Sequence, residues 1–396
     1  MARELFVTIY LLFFRILFLV CKLFPLQKKI AFVVSFKQNN LYVYKEIKKQ
    51  QIPVKIAFMC TSSCYDNVRK ELPTEEVRMF GINRPFDFLK SIYHLATSEY
   101  VVVDNYYGFL AAVQFKDGVE CIQLWHAAGA IKTFGLKDRN IHHRSNRALK
   151  RFKKVYSQFH KVVVGSDTMK HIFMEAFGLP YENFLCTGVP RTDFFYDEKL
   201  KSTIIKKLYD ANPELRNKKI ILYAPTFRDD ELDHFQLMLD VEKMFNELHQ
   251  DHVLLIKLHP AIRHHLELED YNGFVFDYSY YKDVNELLLI TDILITDYSS
   301  IPYEFSILQR PMIFYPYDLQ KYEEKRGFWE TYDKMVPGPV AFDTNRVIQL
   351  IKHKQFDIHL IADFSKSWNT YSTGKSSEKL VKYLYQHEGD TIVERS

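Results

Sequence analysis

The sequence predicts an α/β protein made of two doubly wound, Rossmann-like domains facing each other across a cleft, preceded by an apolar helix. Three observations carry this. Short apolar, β-branched runs alternate with amphipathic segments, the pattern of strand and helix units that feed parallel sheets. The runs are continuously apolar, as strands covered on both faces are. Polar residues of unusual kind gather just past the carboxyl ends of several runs, where open α/β sheets bind ligands. The 396 residues suit two domains, and 47% hydrophobic with 26% charged residues is a globular composition. A net charge of +4, without a basic or aromatic nucleic-acid pattern, argues against a nucleic-acid partner. Five cysteines without paired spacing imply neither a disulfide framework nor a zinc site and fit a reducing cytosol.

Residues 5–21 (LFVTIYLLFFRILFLVC) are apolar apart from Thr8 and Arg15. Wound as a helix at about 100° per residue, Glu4, Thr8, Arg15 and Lys22 share one narrow stripe and the rest is apolar. A spanning helix wants about 20 apolar residues without a central charge, so a helix lying in the membrane plane fits better than a span. A cleaved leader fits less well, because no small-x-small site follows. Residues 1–27 are thus expected to form a membrane-associated helix apart from a core that begins at Ile30, with Lys22, Lys28 and Lys29 facing anionic lipid on the cytoplasmic side.

In the first domain, residues 28–197, strands are expected over Ile30–Phe36, Val54–Met59, Glu99–Asp104, Cys121–Trp125, Lys161–Gly165 and Phe184–Thr187, with a strongly basic helix over 147–158. A charged helix from Lys199 to Tyr209 and the Asn212-Pro213 break form a linker. In the second domain, residues 198–396, the runs Ile220–Tyr223, Val253–Leu258, Phe274–Phe276, Ile293–Thr296 and Met312–Tyr315 read as strands.

Four strand ends hold the candidate chemistry. Gln123 to Ala130 (QLWHAAGA) ends in His126 followed by small residues, as a turn closely approached by substrate requires. Tyr223 to Asp229 ends in Thr226 and Arg228, whose guanidinium suits a bidentate phosphate contact. Lys257-Leu258-His259-Pro260 ends in a histidine. Asp292 to Glu304 (DILITDYSSIPYE) ends in Asp297, Ser299 and Ser300, and Pro302 fits the first turn of a new helix. Free N–H groups and the helix dipole would make that start an anion site. With Ser300 as N-cap, Glu304 lies one residue past the capping-box position and has no obvious local duty. No P-loop or dinucleotide fingerprint occurs, and no carboxylate cluster has metal spacing. The pairs His142-His143 and His264-His265 read as surface residues.

The segments QLWHAAGAIKTFG (123–135), ILYAPTFRD (221–229), LLIKLHP (254–260) and the stretch from Asp292 to Trp329 resemble the CDP-glycerol glycerophosphotransferase family of teichoic acid synthesis. The resemblance runs from about residue 28 to the end and is greatest to the shorter, primase-type members. It implies a GT-B-like fold and transfer of sn-glycerol 3-phosphate from CDP-glycerol to an undecaprenyl-diphosphate-linked ManNAc-GlcNAc disaccharide at the inner face of a membrane, releasing CMP. It implies His126 and His259 as catalytic residues, and Thr226, Arg228, Asp297, Ser299, Ser300 and Glu304 on the nucleotide and diphosphate side. A histidine base near operating pH fits attack of a hydroxyl on the β-phosphorus, with His126 as base, His259 and Arg228 stabilising charge, and Glu304 accepting from ribose. No cofactor is expected, and Mg²⁺ on the substrate diphosphate is compatible with this. Addition of later glycerol phosphates, a nucleotide-sugar transferase on the same fold, and a catalytically dead membrane scaffold are the competing readings.

Overall fold

The computed structural model describes residues 2–228, 236–259, 262 and 266–390. The chain forms two compact units, one of residues 1–127, 134–193 and 371–396, the other of 128–133 and 194–370. The division expected at 197/198 lies four residues from the boundary between 193 and 194, and residues 371–396 group with the first unit rather than the second. The last helix, Ser376–Asp390, belongs with the first unit, where Leu380, Val381 and Leu384 enter its core and Asp193 accepts from the Ser376 and Ser377 N–H groups at 2.8 Å each. The short stretch 128–133 belongs with the second unit.

The first unit holds β1 (Gln27–Val34), β2 (Lys55–Cys60), β3 (Glu76–Met79), β4 (Ser98–Val103), β5 (Glu120–Gln123), β6 (Lys161–Val163) and β7 (Phe184–Leu185), in the order β3-β2-β1-β4-β5-β6-β7. Every pairing is parallel. Six of these strands match the expected runs; β3 does not, because Glu76-Val77-Arg78-Met79 is an edge strand with polar residues between its apolar ones. Reversal of strand order between β1 and β4 makes their carboxyl ends the switch point of the sheet. The second unit holds β8 (Lys219–Ala224), β9 (His252–Ile256), β10 (Val275–Asp277), β11 (Ile293–Thr296) and β12 (Met312–Phe314), in the parallel order β10-β9-β8-β11-β12, with its switch point between β8 and β11. Each sheet carries its own buried cluster, centred on Phe32 and Phe58 in one and on Ile221, Leu254 and Ile295 in the other.

The N-terminal helix, Ala2–Cys21, does not stand apart from the first unit. Phe14 and Phe18 are fully buried, and the Phe14 ring lies 5.1 Å from Phe109 and 5.9 Å from Phe88. Residues 7, 10, 11, 14, 17, 18 and 21 form this half-buried or buried face at helical spacing. The opposite face, Leu5, Ile9, Leu12 and Ile16, is 53–63% exposed. The polar stripe runs along the border, where Arg151 holds the Glu4 carboxylate at 3.1 and 3.3 Å and Lys22 donates to the Gln114 carbonyl at 2.8 Å. Two of the three lysines expected at the lipid are engaged elsewhere. Lys22 is tied as above, and Lys29 is buried, donating to Thr97 Oγ1 at 2.6 Å.

Candidate functional site

In the first unit the switch point is organised by Asp104, just past β4. Its carboxylate accepts from the Ser35 and Phe36 N–H groups past β1 at 2.8–3.0 Å, from Asn40 Nδ2 at 2.8 Å and from the Tyr107 hydroxyl at 2.6 Å. Burial pushes this carboxyl up to about 6, against the lowering effect of those donors. The Asp104 carbonyl oxygen lies 3.1 Å from His126 Nδ1. A carbonyl can only accept, so Nδ1 carries the proton and Nε2 the lone pair. The imidazole is stacked between Phe36, 4.4 Å away, and Trp125, 4.5 Å away. Burial, with the Arg191 charge nearby, lowers His126 to about 4. The expectation of a base titrating near neutrality is thus corrected: the ring is neutral, and its basic nitrogen is already free of its proton.

The backbone at His126 is held from below. Trp125 has φ of 58°, a left-handed conformation unfavourable for a bulky residue. Gln123 Oε1 accepts from the Trp125 N–H at 2.8 Å, Asn39 Nδ2 donates to the Trp125 carbonyl at 2.9 Å, and Arg191 Nη1 donates to the His126 carbonyl at 2.7 Å. Asn39 Oδ1 also accepts from the Arg191 N–H at 2.9 Å, so the two clamps are one. Asn39, Asp104, Gln123 and Arg191 were not singled out in the sequence. The parallel between V-V-V-D at 101–104 and L-I-T-D at 294–297 was the available signal.

The second unit repeats the device. Asp297, just past β11, accepts at Oδ1 from the Thr226 N–H past β8 at 2.8 Å and from the Tyr298 N–H at 2.6 Å. Its Oδ2 takes Arg228 Nη1 at 2.8 Å. Arg228 Nε and Nη2 engage both oxygens of Asp318 at 3.0 and 2.7 Å, and Nη1 also donates to the Thr226 carbonyl. Tyr298, Tyr317 and Tyr322 surround the guanidinium at 4.8–5.1 Å. Arg228 is 5% exposed. The bidentate phosphate contact expected of it is therefore replaced by a bidentate contact to Asp318, and Asp297 is occupied in the same network.

The other expected residues are brought to this end of the sheet. Thr226 Oγ1 is buried without a hydrogen-bond partner among the described residues. Ser300 is the N-cap of the five-residue helix Ile301–Phe305, with no side-chain cap bond, and Ser299 Oγ accepts from the Ile301 N–H at 3.2 Å. Glu304 is buried within that helix. His259 lies 4.5 Å from the Phe227 ring, and desolvation with the Lys257 and Lys132 charges lowers its pKa, which favours the neutral, donor form of the two roles open to it. Pro260 and His264-His265 fall outside the described residues, whereas His142 and His143 are exposed as expected. The small residues after His126 serve packing: Ala128 is fully buried, and a Cβ on Gly129 would lie 2.3 Å from the Tyr303 ring, in space expected for substrate. Among the described residues no group of three or more His, Cys, Asp or Glu could hold a metal ion.

Residues 16–386 match the family model described as CDP-Glycerol:Poly(glycerophosphate) glycerophosphotransferase. The chain belongs to this family. It is 34% identical over 382 residues to the teichoic acid glycerol-phosphate primase of Bacillus subtilis, covering 96% of this chain and 98% of that one. It is also 34% identical to the teichoic acid poly(ribitol-phosphate) polymerase of Bacillus spizizenii, covering 92% of this chain but 57% of that one. Among solved structures, a variant of the wall teichoic acid polymerase TagF soaked with CDPG matches with a TM-score of 0.80 at 24% identity, covering 99% of both chains. A UDP-GlcNAc 2-epimerase from Neisseria meningitidis matches with a TM-score of 0.60 at 13% identity, over 90% of this chain and 99% of that one. The protein is thus a glycerophosphotransferase of the teichoic acid synthesis family, with the parallel α/β fold that the sequence predicts.

Proposed function

We propose that this glycerophosphotransferase carries out the priming step, moving sn-glycerol 3-phosphate from CDP-glycerol to an undecaprenyl-diphosphate-linked ManNAc-GlcNAc disaccharide. The observation that carries the chemistry is His126, held by the Asp104 carbonyl in the tautomer whose Nε2 can accept a proton. The acceptor hydroxyl oxygen bonds to the β-phosphorus as the bond to the CMP oxygen breaks, and the hydroxyl proton goes to His126 Nε2. His259 donates to the phosphoryl oxygens, and Thr226, Ser299 and Ser300 donate to the diphosphate and the departing CMP. Glu304 is assigned to the ribose hydroxyls. Arg228 and Asp297 act indirectly, by holding the Thr226 turn. No cofactor is assigned to the protein, and any Mg²⁺ would arrive on the substrate diphosphate.

The priming reading is supported by identity: 34% to the primase relative over 96% of this chain, against 29% to the poly(glycerol phosphate) polymerase of Bacillus subtilis over 95% of it. A second reading, addition of later units, is favoured by the 34% identity to the polymerase from Bacillus spizizenii. A GT-B-type transferase is the fold-level form of the proposal. The exposed apolar face of the N-terminal helix supports peripheral attachment to the cytoplasmic face of the membrane, where a lipid-linked acceptor resides. Mass spectrometry of the product formed from CDP-glycerol with an unprimed or a once-primed lipid acceptor tests it. One glycerol phosphate added to the unprimed acceptor is expected; extension of the primed acceptor alone contradicts priming, and turnover with UDP-sugars in place of CDP-glycerol contradicts the donor.

A further inference from the structure

His126 is an inner member of a row of rings. Phe134 lies 5.1 Å from Trp125, Trp125 lies 4.5 Å from the imidazole, and the imidazole lies 4.4 Å from Phe36, with neighbouring planes 23–27° apart. The row ends at Phe36, just past β1, which is 43% exposed. Its backbone is pinned on both sides: the N–H donates to Asp104 Oδ2 at 2.8 Å, and the carbonyl accepts from Asn40 Nδ2 at 3.1 Å. The Asp104 carbonyl also orients His126, so one residue sets the proposed base and the exposed ring with respect to each other. A single exposed phenylalanine is ordinary on a protein surface. One fixed at the switch point of a sheet, over the proposed base, stands where a ligand must arrive.

The chemistry of the surroundings decides which ligand. An attacking hydroxyl must come within about 2.6 to 3.2 Å of His126 Nε2, so the group that carries it lies against the Phe36 ring. An aromatic face is partially negative and attracts the C–H groups on one side of a pyranose, and covering that side also removes apolar surface from water. Hydroxyls stand beside the ring as well. The Thr61 N–H donates to the Val34 carbonyl at 2.9 Å, which brings Thr61, Ser62 and Ser63, past β2, next to the end of β1. Ser62 and Ser63 are exposed. Lys37, the residue after Phe36, is paired with Glu71 at 2.9 Å. A ring, a hydroxyl rim and a compensated charge suit an uncharged sugar better than a phosphate.

We propose that Phe36 is the stacking platform for the acceptor pyranose that carries the attacking hydroxyl, with Thr61, Ser62 and Ser63 as its hydroxyl rim. This rests on the priming reading given above, in which that hydroxyl belongs to a sugar. Phe36 is then a residue that touches the acceptor and sets its affinity, and not only a cover for the imidazole.

The test is transfer from CDP-glycerol to the unprimed lipid-linked disaccharide over a range of acceptor concentrations, for the parent, Phe36→Leu and Phe36→Tyr. Equilibrium binding of CDP-glycerol is measured beside it. Leucine keeps apolar bulk without a ring face, and tyrosine keeps the face. Phe36→Leu should raise the acceptor KM about tenfold with little change in kcat or in CDP-glycerol affinity, and Phe36→Tyr should stay within about twofold of the parent. An unchanged acceptor KM in Phe36→Leu, or an equal rise in both variants, overturns the platform. Loss of CDP-glycerol affinity in Phe36→Leu makes the ring a support of the fold and overturns it too. A parent that extends only the once-primed acceptor removes the priming reading, and this inference with it, before any variant is compared; the other failures leave priming standing.

Discussion

At His126 a single residue joins two tasks: its ring is the base proposed above, while its backbone follows Trp125, which is held at positive φ. Arg191 serves both, donating to the His126 carbonyl and lowering the imidazole pKa by its charge. Arg191→Gln is therefore expected to raise that pKa, moving the acid limb of the rate profile to higher pH. A base works only when unprotonated, so activity is lost as pH falls through the raised value. A merely structural arginine would lower the rate at every pH without moving the limb, and a pH profile of single-turnover transfer tells the two apart. Arg228 belongs to the other class. Removing it leaves the Asp297 and Asp318 carboxylates near each other without their cation, and breaking such a buried pair costs about 3 to 5 kcal/mol. Arg228→Ala should lower the urea midpoint accordingly, and a variant of unchanged stability would return the guanidinium to the substrate side. The sequence could not show this, because Asp318 lies 90 positions from Arg228 and meets it only through the ends of β8 and β12.

The elements were legible where burial on both faces makes a strand continuously apolar, as in Ile293–Thr296, and illegible at the polar edge strand β3. The N-terminal helix was legible as an apolar amphipath, but its pattern does not say that one face covers the protein and the other is exposed. The aromatic partners Phe80, Phe88 and Phe109 come from distant segments. Phe14→Ala should cost about 3 to 5 kcal/mol by emptying a fully buried site, whereas Leu12→Ser on the opposite face should change stability by less than about 0.5 kcal/mol and weaken vesicle binding. Denaturation and vesicle sedimentation on both variants check this; equal destabilisation by both would mean that the helix is buried all round. Gly129 makes a similar point within the second unit. Because its missing Cβ is the space filled by Tyr303, Gly129→Ala should displace that ring and lower thermal stability, and a neutral outcome would restore the substrate-clearance reading.

Across the whole molecule the two units use one device: an aspartate past the strand on one side of the switch point caps the backbone past the strand on the other, Asp104 in the first and Asp297 in the second. The sheets, the candidate histidines and the family could be read from local pattern, but the return of the C-terminal helix to the first unit could not. An amphipathic segment does not record which of two sheets it covers. Buried titratable groups also shape global stability. His94 and His126, both lowered to about 4 from 6.5, bind protons more readily when unfolded, so stability falls as pH drops from 6.5 toward 4. Asp104, raised from 3.8 to about 6, works in the opposite direction below 6 but offsets only one histidine. The urea midpoint should therefore decline over that range, less steeply in His94→Gln.

In the proposed reaction His126 takes the proton from the attacking hydroxyl and plays no part in holding the nucleotide. Equilibrium binding of CDP-glycerol to purified His126→Ala, measured beside single-turnover transfer to the lipid acceptor, addresses it directly. The expected result is near-parental affinity with transfer slower by about 10² to 10⁴, the usual worth of a general base. Loss of CDP-glycerol affinity in His126→Ala, with affinity retained in His259→Ala, would contradict the assignment and exchange the two roles.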